Sequence, residues 1–281
     1  MTPADVRPAA DALVRSGWGD LRDRLGFFDF AVRHEGCRPF VAERDGSIIG
    51  TGVATTNGRV GWVGTIWVDP GARGRGIGRD LTTTVIEALE SAGCSTLVLV
   101  ASEAGKPVYE RLGFEVDTHY QTLFAPGVAS AANGANEANG RPRRPRAFAP
   151  PDLAPMIDLD HTVTGEDRSH LIRAFASPDA ALCIDGPDGA LAGYVIRPPW
   201  GGGATIAPSP DAAVALLEVR RRIAGPDHRV RAGLPLENEV GIRRLRELGW
   251  EDGWQGTRMI RGEPLTWQRT AVWGQFSSAL G

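Results

Sequence analysis

Residues 66–81 read IWVDPGARGRGIGRDL. A strand-like triplet, Ile66-Trp67-Val68, runs into Pro70, then into glycines at alternate positions, Gly74, Gly76 and Gly78, and then into a helix start. The first amides of a helix have no partner inside it and sit at the positive end of its dipole, so this junction is an anion site. The glycines let a bulky phosphate approach the main chain, and Arg73, Arg75 and Arg79 add positive charge. Taken alone, a glycine-rich turn also serves simply to join a strand to a helix. A nucleotide-hydrolysing P-loop is excluded, because Ile77 follows Gly76 where a lysine is needed. The dinucleotide fingerprint fails too, since Arg79 and Leu81 stand where its third glycine would fall.

Upstream, two helical stretches around Ala9–Trp18 and Leu21–His34 precede alternating strand runs at 38–44, 47–55 and 59–68. Asp45-Gly46 and Asn57-Gly58 lie between those runs and tolerate the positive φ of tight hairpins, so an antiparallel meander is expected. Downstream, Leu81, Val85, Ala88, Leu89 and Ala92 recur at helical spacing until Gly93. STLVLVA (95–101) has the continuous apolar character of a strand covered on both faces. A helix over 107–112 and a long strand over 114–124 complete an α+β unit built on a mostly antiparallel sheet.

In that context VDPGARGRGIGRDL (68–81) resembles motif A of the GCN5-related N-acetyltransferase (GNAT) superfamily, V-x-P-x-x-R-G-x-G-x-G. AGKPVYERLGF (104–114) resembles its motif B region, a tyrosine-bearing helix that ends in Gly-Phe. The resemblance covers roughly residues 7–124 and implies acetyl-CoA as acyl donor. It implies that Ile66, Trp67 and Val68, on a strand splayed from LVLVA, offer main-chain groups to the pantetheine arm. The amides of Arg73, Gly74, Arg75, Gly76, Ile77 and Gly78 would take the pyrophosphate, and Tyr109 would protonate the departing thiolate. A phenol at the end of a cleft can donate a proton as charge develops on sulfur, whereas the neighbouring Val108 and Leu112 suit Tyr109 equally to packing. Glu103, Asp117, His119 or a bound water are the candidates for deprotonating an amine.

Residues 126–147 shift to Ala, Gly, Asn, Pro and Arg without an apolar face, as in a linker. Arg141, Arg143, Arg144 and Arg146 there suggest either an anionic partner or, as expected here, a solvated basic tether. Beyond it the order of elements recurs. YERLGFE (109–115) and LRELGWE (245–251) align Leu112 with Leu248, Gly113 with Gly249 and Phe114 with Trp250. The expectation is two tandem GNAT-like folds, each a mixed, mostly antiparallel sheet flanked by helices: residues 1–125 acetyltransferase, residues 148–281 degenerate. The second half has no glycine-arginine loop before the helix at Pro210, carries Asp211 in that helix's first turn, and has Leu245 where Tyr109 stands. HTVTGEDRSHL (161–171) has no metal-ligand spacing, so capped-helix surface polarity is expected and no metal. For the aromatics of the tail, Trp267, Trp273 and Phe276, burial between the halves is favoured over an acceptor wall.

Composition narrows the remaining classes. A net charge of -3 gives no overall attraction to nucleic acid, so any polyanion contact would need a local arginine cluster, and no nucleic-acid partner is expected; no apolar run is long enough for a membrane span. Three scattered cysteines without a C-x-x-C pair read as reduced thiols in a cytoplasmic protein. The expected function is transfer of an acetyl group from acetyl-CoA to a primary amine, of a small molecule or a protein, by direct attack. The alternative is an acetyl-CoA-binding sensor or scaffold. The sequence sets neither the acceptor nor an oligomeric state.

Overall fold

A computed structural model describes residues 1–129 and 144–281. The first half runs α1 (Val6–Arg15), α2 (Leu21–Arg33), β1 (Cys37–Arg44), β2 (Ser47–Asn57), β3 (Val60–Val68), α3 (Ile77–Ser91), β4 (Thr96–Ala101), α4 (Lys106–Arg111) and β5 (Glu115–Pro126). The second runs β6 (Arg146–Ala147), α5 (Leu153–Thr164), α6 (Ser169–Phe175), β7 (Ala181–Asp185), β8 (Leu191–Ile196), β9 (Ala204–Ile206), α7 (Pro210–Ala224), β10 (Arg229–Pro235), α8 (Glu239–Glu247), β11 (Glu251–Gly262) and β12 (Val272–Gly274). These are two mixed α/β units with sheets flanked by helices. The β1–β2 turn forms as expected, with Asp45 at φ 53° and Gly46 at φ 72°. At the β2–β3 turn only Gly58 is left-handed, and Asn57 is wholly buried instead.

The short sequence repeat is a structural one. Gly113 and Gly249 end their helices at φ 82° and 81°, and the next residue's amide folds back in the same way in both halves. Phe114 N–H donates to the Tyr109 carbonyl at 3.1 Å and Trp250 N–H to the Leu245 carbonyl at 3.0 Å. The long strand after each of these glycines is exchanged between the halves. β11 lies between β4 and β5, and β5 lies between β11 and β10, in a seven-stranded sheet ordered β1-β2-β3-β4-β11-β5-β10. Each half thus completes its sheet with the other half's last long strand, and β5 and β11 pair antiparallel from Glu251 opposite Phe124 to Ile260 opposite Glu115. A second sheet, β12-β9-β8-β7-β6, belongs to the second half alone.

One core packs Val85, Ile86 and Leu89 of α3 against Ala54, Val63, Leu97 and Leu99. The opposite face of the first meander, with Val53 and Trp67, shares a core with α1, α2 and second-half residues including Tyr194 and Phe276.

Two expectations are corrected. Arg146 is no solvated tether: its guanidinium donates to both Asp152 oxygens at 2.7 and 2.8 Å and to both Asp185 oxygens at 2.8 and 3.0 Å, tying β6 to its neighbours. Arg141 and Arg143 lie outside the described residues. The 161–171 segment is not surface polarity, because Glu166 and Arg168 are each only 3% exposed. Arg168 pairs with Asp160 at 2.5 and 3.0 Å, and Tyr194 donates to the same carboxylate, so the polarity is satisfied inside the interface between the halves.

Candidate active site

The loop before α3 has the form expected of an anion cradle. Gly74 and Gly76 are left-handed at φ 75° and 85°, where a side chain is strained, and Gly76 is the N-cap of α3. Among the described residues no protein group accepts from the amides of Gly76, Ile77, Gly78 and Arg79. Arg73 turns its Nε back onto the Val68 carbonyl at 3.1 Å, bracing the loop against β3. Arg75 and Arg79 are exposed. A diphosphate would meet consecutive free donors at the positive end of a 15-residue helix.

β3 leads into this loop and parts from its parallel neighbour. Val60, Gly61 and Trp62 pair with Thr96, Leu97 and Val98, but no residue of β3 beyond Trp62 pairs with β4. A bulge lies in the free stretch: Thr51 opposes Trp67 while Val53 opposes Gly64. Thr65, inside the bulge, has φ 51°, an unusual backbone for a β-branched residue, and its carbonyl accepts from Thr51 Oγ1 at 2.9 Å. The notch-facing main chain of Ile66, Trp67 and Val68 therefore has no strand partner, which is the edge a pantetheine chain would need. Loop and notch together fit coenzyme A.

Tyr109 is half-buried on the α3 side, packed edge-on to Phe114. Burial pushes its phenol up to about 12, so it stays protonated. The candidate bases fare differently. Asp117 is held by Arg258 at 2.8 Å and Arg269 at 2.7 Å, a structural clamp between strands. Glu103 is exposed and His119 half-buried, and neither lines the cavity that opens at the notch.

That cavity has a volume of about 330 Å³ and is built by both halves. Thr65 and Val100 bring the parted strands to it, Asp23 and Arg24 come from α2, Tyr120 from β5, Arg231 from β10, and Gln275, Ser277, Ser278 and Ala279 from the tail. Tyr120 Oη accepts from Gln275 Nε2 at 2.7 Å, fixing the tail against β5. Sequence reasoning missed Asp23, Arg24, Tyr120 and Arg231, because each sits in a helix or strand pattern that reads as an ordinary polar or packing position. Of the tail's aromatics, Trp273 and Phe276 are fully buried and Trp267 is half-buried, and none of the three lines the cavity; the tail residues that do are Gln275, Ser277, Ser278 and Ala279.

Among the described residues the second half has no matching notch. β9 and β10, its counterparts of β3 and β4, lie in different sheets, and β12 pairs with β9 and packs against β10. Trp273 of β12 is fully buried there and donates its indole N–H to the Ala207 carbonyl at 3.2 Å. Pro210 at the start of α7 lacks an amide hydrogen, Asp211 is paired with Arg244, and Leu245 is wholly buried.

Comparison with known proteins agrees with this geometry. The Acetyltransferase (GNAT) family profile matches residues 5–114 and an Acetyltransferase (GNAT) domain profile matches residues 156–274. The chain belongs to the GNAT superfamily and carries its domain twice in tandem; members of this acetyltransferase family take the acetyl group from acetyl-CoA. A glucosamine 6-phosphate N-acetyltransferase of Trypanosoma brucei brucei is 34% identical over 117 residues, covering 41% of this chain and 78% of that protein. A mycothiol acetyltransferase of Streptomyces avermitilis is 44% identical over 92 residues, but the match spans only 30% of each chain. In fold, a candidate acetyltransferase of Pyrococcus horikoshii superposes over 100% of this chain and 94% of its own with a TM-score of 0.81 at 16% identity. No helix among the described residues is long and apolar enough to cross a membrane.

Proposed function

We propose that the chain transfers an acetyl group from acetyl-CoA to the primary amine of a small molecule, with the donor held by residues 1–125 and the acceptor in the cavity that both halves wall. The observation that carries this reading is the run of free amides from Gly76 to Arg79 at the mouth of the notch where β3 leaves β4. In it, Arg73, Gly74, Arg75, Gly76, Ile77 and Gly78 hold the pyrophosphate, and the main chain of Ile66, Trp67 and Val68 lies along the pantetheine arm. The donor supplies a thioester. The protein supplies proximity, by holding the amine in the cavity at Thr65 and Val100. Tyr109, protonated across the physiological range, gives its proton to the departing thiolate. Asp23 is the only carboxylate on the cavity wall among the described residues, and burial and Asp20 push its carboxyl up; it is the group placed to take the amine's proton, directly or through water.

Two relatives named for small-molecule substrates support a small-molecule acceptor over a protein. The buried, unpaired Cys37, Cys94 and Cys183 fit a reducing compartment, the cytoplasm. The test is calorimetric titration with acetyl-CoA followed by thiol release over a panel of amines. Binding and release together support the enzyme. Binding without release on any amine favours the sensor or scaffold, and absence of binding removes both readings.

A further inference from the structure

The cavity carries charge that acetyl transfer by itself does not require. Arg24 of α2 and Arg231 of β10 both line it, one from each half. Elsewhere in the interior, arginines meet carboxylates: Arg168 meets Asp160, and Arg258 meets Asp117. Arg24 and Arg231 meet none within ion-pair distance among the described residues. The Arg24 Nε is shut off from solvent without a hydrogen-bond partner. Asp23 offers one negative charge to a wall with two positive ones. Arg24 is half-buried, whereas Arg231 keeps an exposed part at the cavity; desolvation, and for Arg231 also the charge of Arg24, holds both guanidiniums below the usual arginine range. Behind them Arg220 is committed to main chain, donating to the carbonyls of Arg231 and Gly202. The glycines at 201–203 leave room for this cluster, since a Cβ at Gly202 would lie 3.1 Å from Arg231 Nη2.

Two neighbouring guanidiniums of like charge, neither with an ion-pair partner and Arg24 with a buried, unbonded Nε, are unfavourable until an anion joins them, and their planar donor forks suit carboxylate or phosphate. We propose that Arg24 and Arg231 bind an anionic group of the acceptor, so that the substrate is a small amine that also carries a carboxylate or a phosphate monoester. This rests on the cavity being the acceptor site of the function proposed above. Its volume of about 330 Å³ suits such a molecule.

Matched amines decide it by calorimetry: β-alanine against β-alaninamide, and 3-aminopropyl phosphate against 3-aminopropan-1-ol, each with and without CoA. The anionic member of at least one pair is expected to bind at least tenfold tighter than its neutral mate, and the pair that shows it distinguishes carboxylate from phosphate. The preference is expected to fall below threefold in Arg24→Gln or Arg231→Gln and to return in part in Arg231→Lys, with CoA affinity retained as the check on folding. Equal or undetectable binding of both members of both pairs to the wild-type protein overturns the proposal. So does a preference that persists in both glutamine variants. Failure of CoA itself to bind would sink the acetyltransferase reading, while the pairs titrated without CoA still decide this one.

Discussion

Asn57 Nδ2 donates to Glu166 Oε2 at 2.8 Å, joining the β2–β3 turn of the first half to the α5–α6 loop of the second. The same amide nitrogen reaches the Leu280 carbonyl at 3.0 Å, and Trp62 Nε1 donates to the same Glu166 oxygen at 2.8 Å. With its nitrogen so engaged, Asn57 presents Oδ1 to His170 Nε2 at 2.9 Å, so that nitrogen carries the proton and His170 Nδ1 accepts from His34 Nε2 at 2.7 Å. His170 is neutral in this arrangement.

Acid is therefore expected to loosen the join between the halves. Burial, then the neighbouring His34, holds His170 down to about 4, against about 6.5 for a free imidazole. The folded protein binds fewer protons than the unfolded chain between these values, so stability rises with pH through the window and is lost as pH falls below about 6.5. Denaturant unfolding at pH 7 and pH 5 is expected to differ by about 2 kcal/mol from this residue. In His170→Gln that difference shrinks; an unchanged pH slope would show that the pair does not govern it.

Gly64 is the second point of contact between strand and tail. A Cβ built there lies 2.3 Å from both Cα and Cβ of Ala279, and main-chain atoms cannot move aside cheaply. Gly64→Val is expected to displace the tail and breach the cavity wall, lowering stability by about 1–3 kcal/mol. In kinetics the acceptor KM rises at least tenfold while acetyl-CoA affinity changes little. An acceptor KM equal to wild type would detach the tail from the acceptor site.

Two glycines of the loop separate conformation from charge. Gly76→Asp forces a side chain onto a backbone at φ 85° and sets a carboxylate among the free amides, so loss of acetyl-CoA binding is expected. Gly78→Ala places its Cβ at an ordinary 3.5 Å from Val68 Cγ2 with no left-handed backbone, and a much smaller loss is expected. Calorimetry on the pair checks both, and wild-type affinity in Gly76→Asp refutes the placement of the pyrophosphate.

For Tyr109→Phe, turnover is expected to fall by about 100-fold, the lower end of general-acid contributions, with acetyl-CoA affinity nearly unchanged. Because the phenol is pushed up to about 12, the wild-type rate shows no alkaline fall from this group up to pH 10. Unchanged turnover in the variant would leave Tyr109 as a packing residue beside Phe114.

What the sequence determined by itself was local. Helix and strand periodicity, the alternate glycines at 74, 76 and 78, and the Gly113 and Gly249 helix ends are properties of a few consecutive residues, so the first half's elements, the tandem repeat and the glycine-rich turn into α3 were readable before any packing was known. Only the tertiary structure decided what those elements meet. Asp117 looks like a free carboxylate until Arg258 and Arg269 arrive from beyond residue 250, and Asn57 looks like a turn residue until Glu166 buries it. The exchange of β5 and β11 leaves no local trace, because a strand's alternation states which face is buried but not whose edge it joins. The same holds for Arg24 and Arg231: their placement across one cavity depends on long-range pairing of strands and on the tail's return to β3, which no short window of sequence encodes.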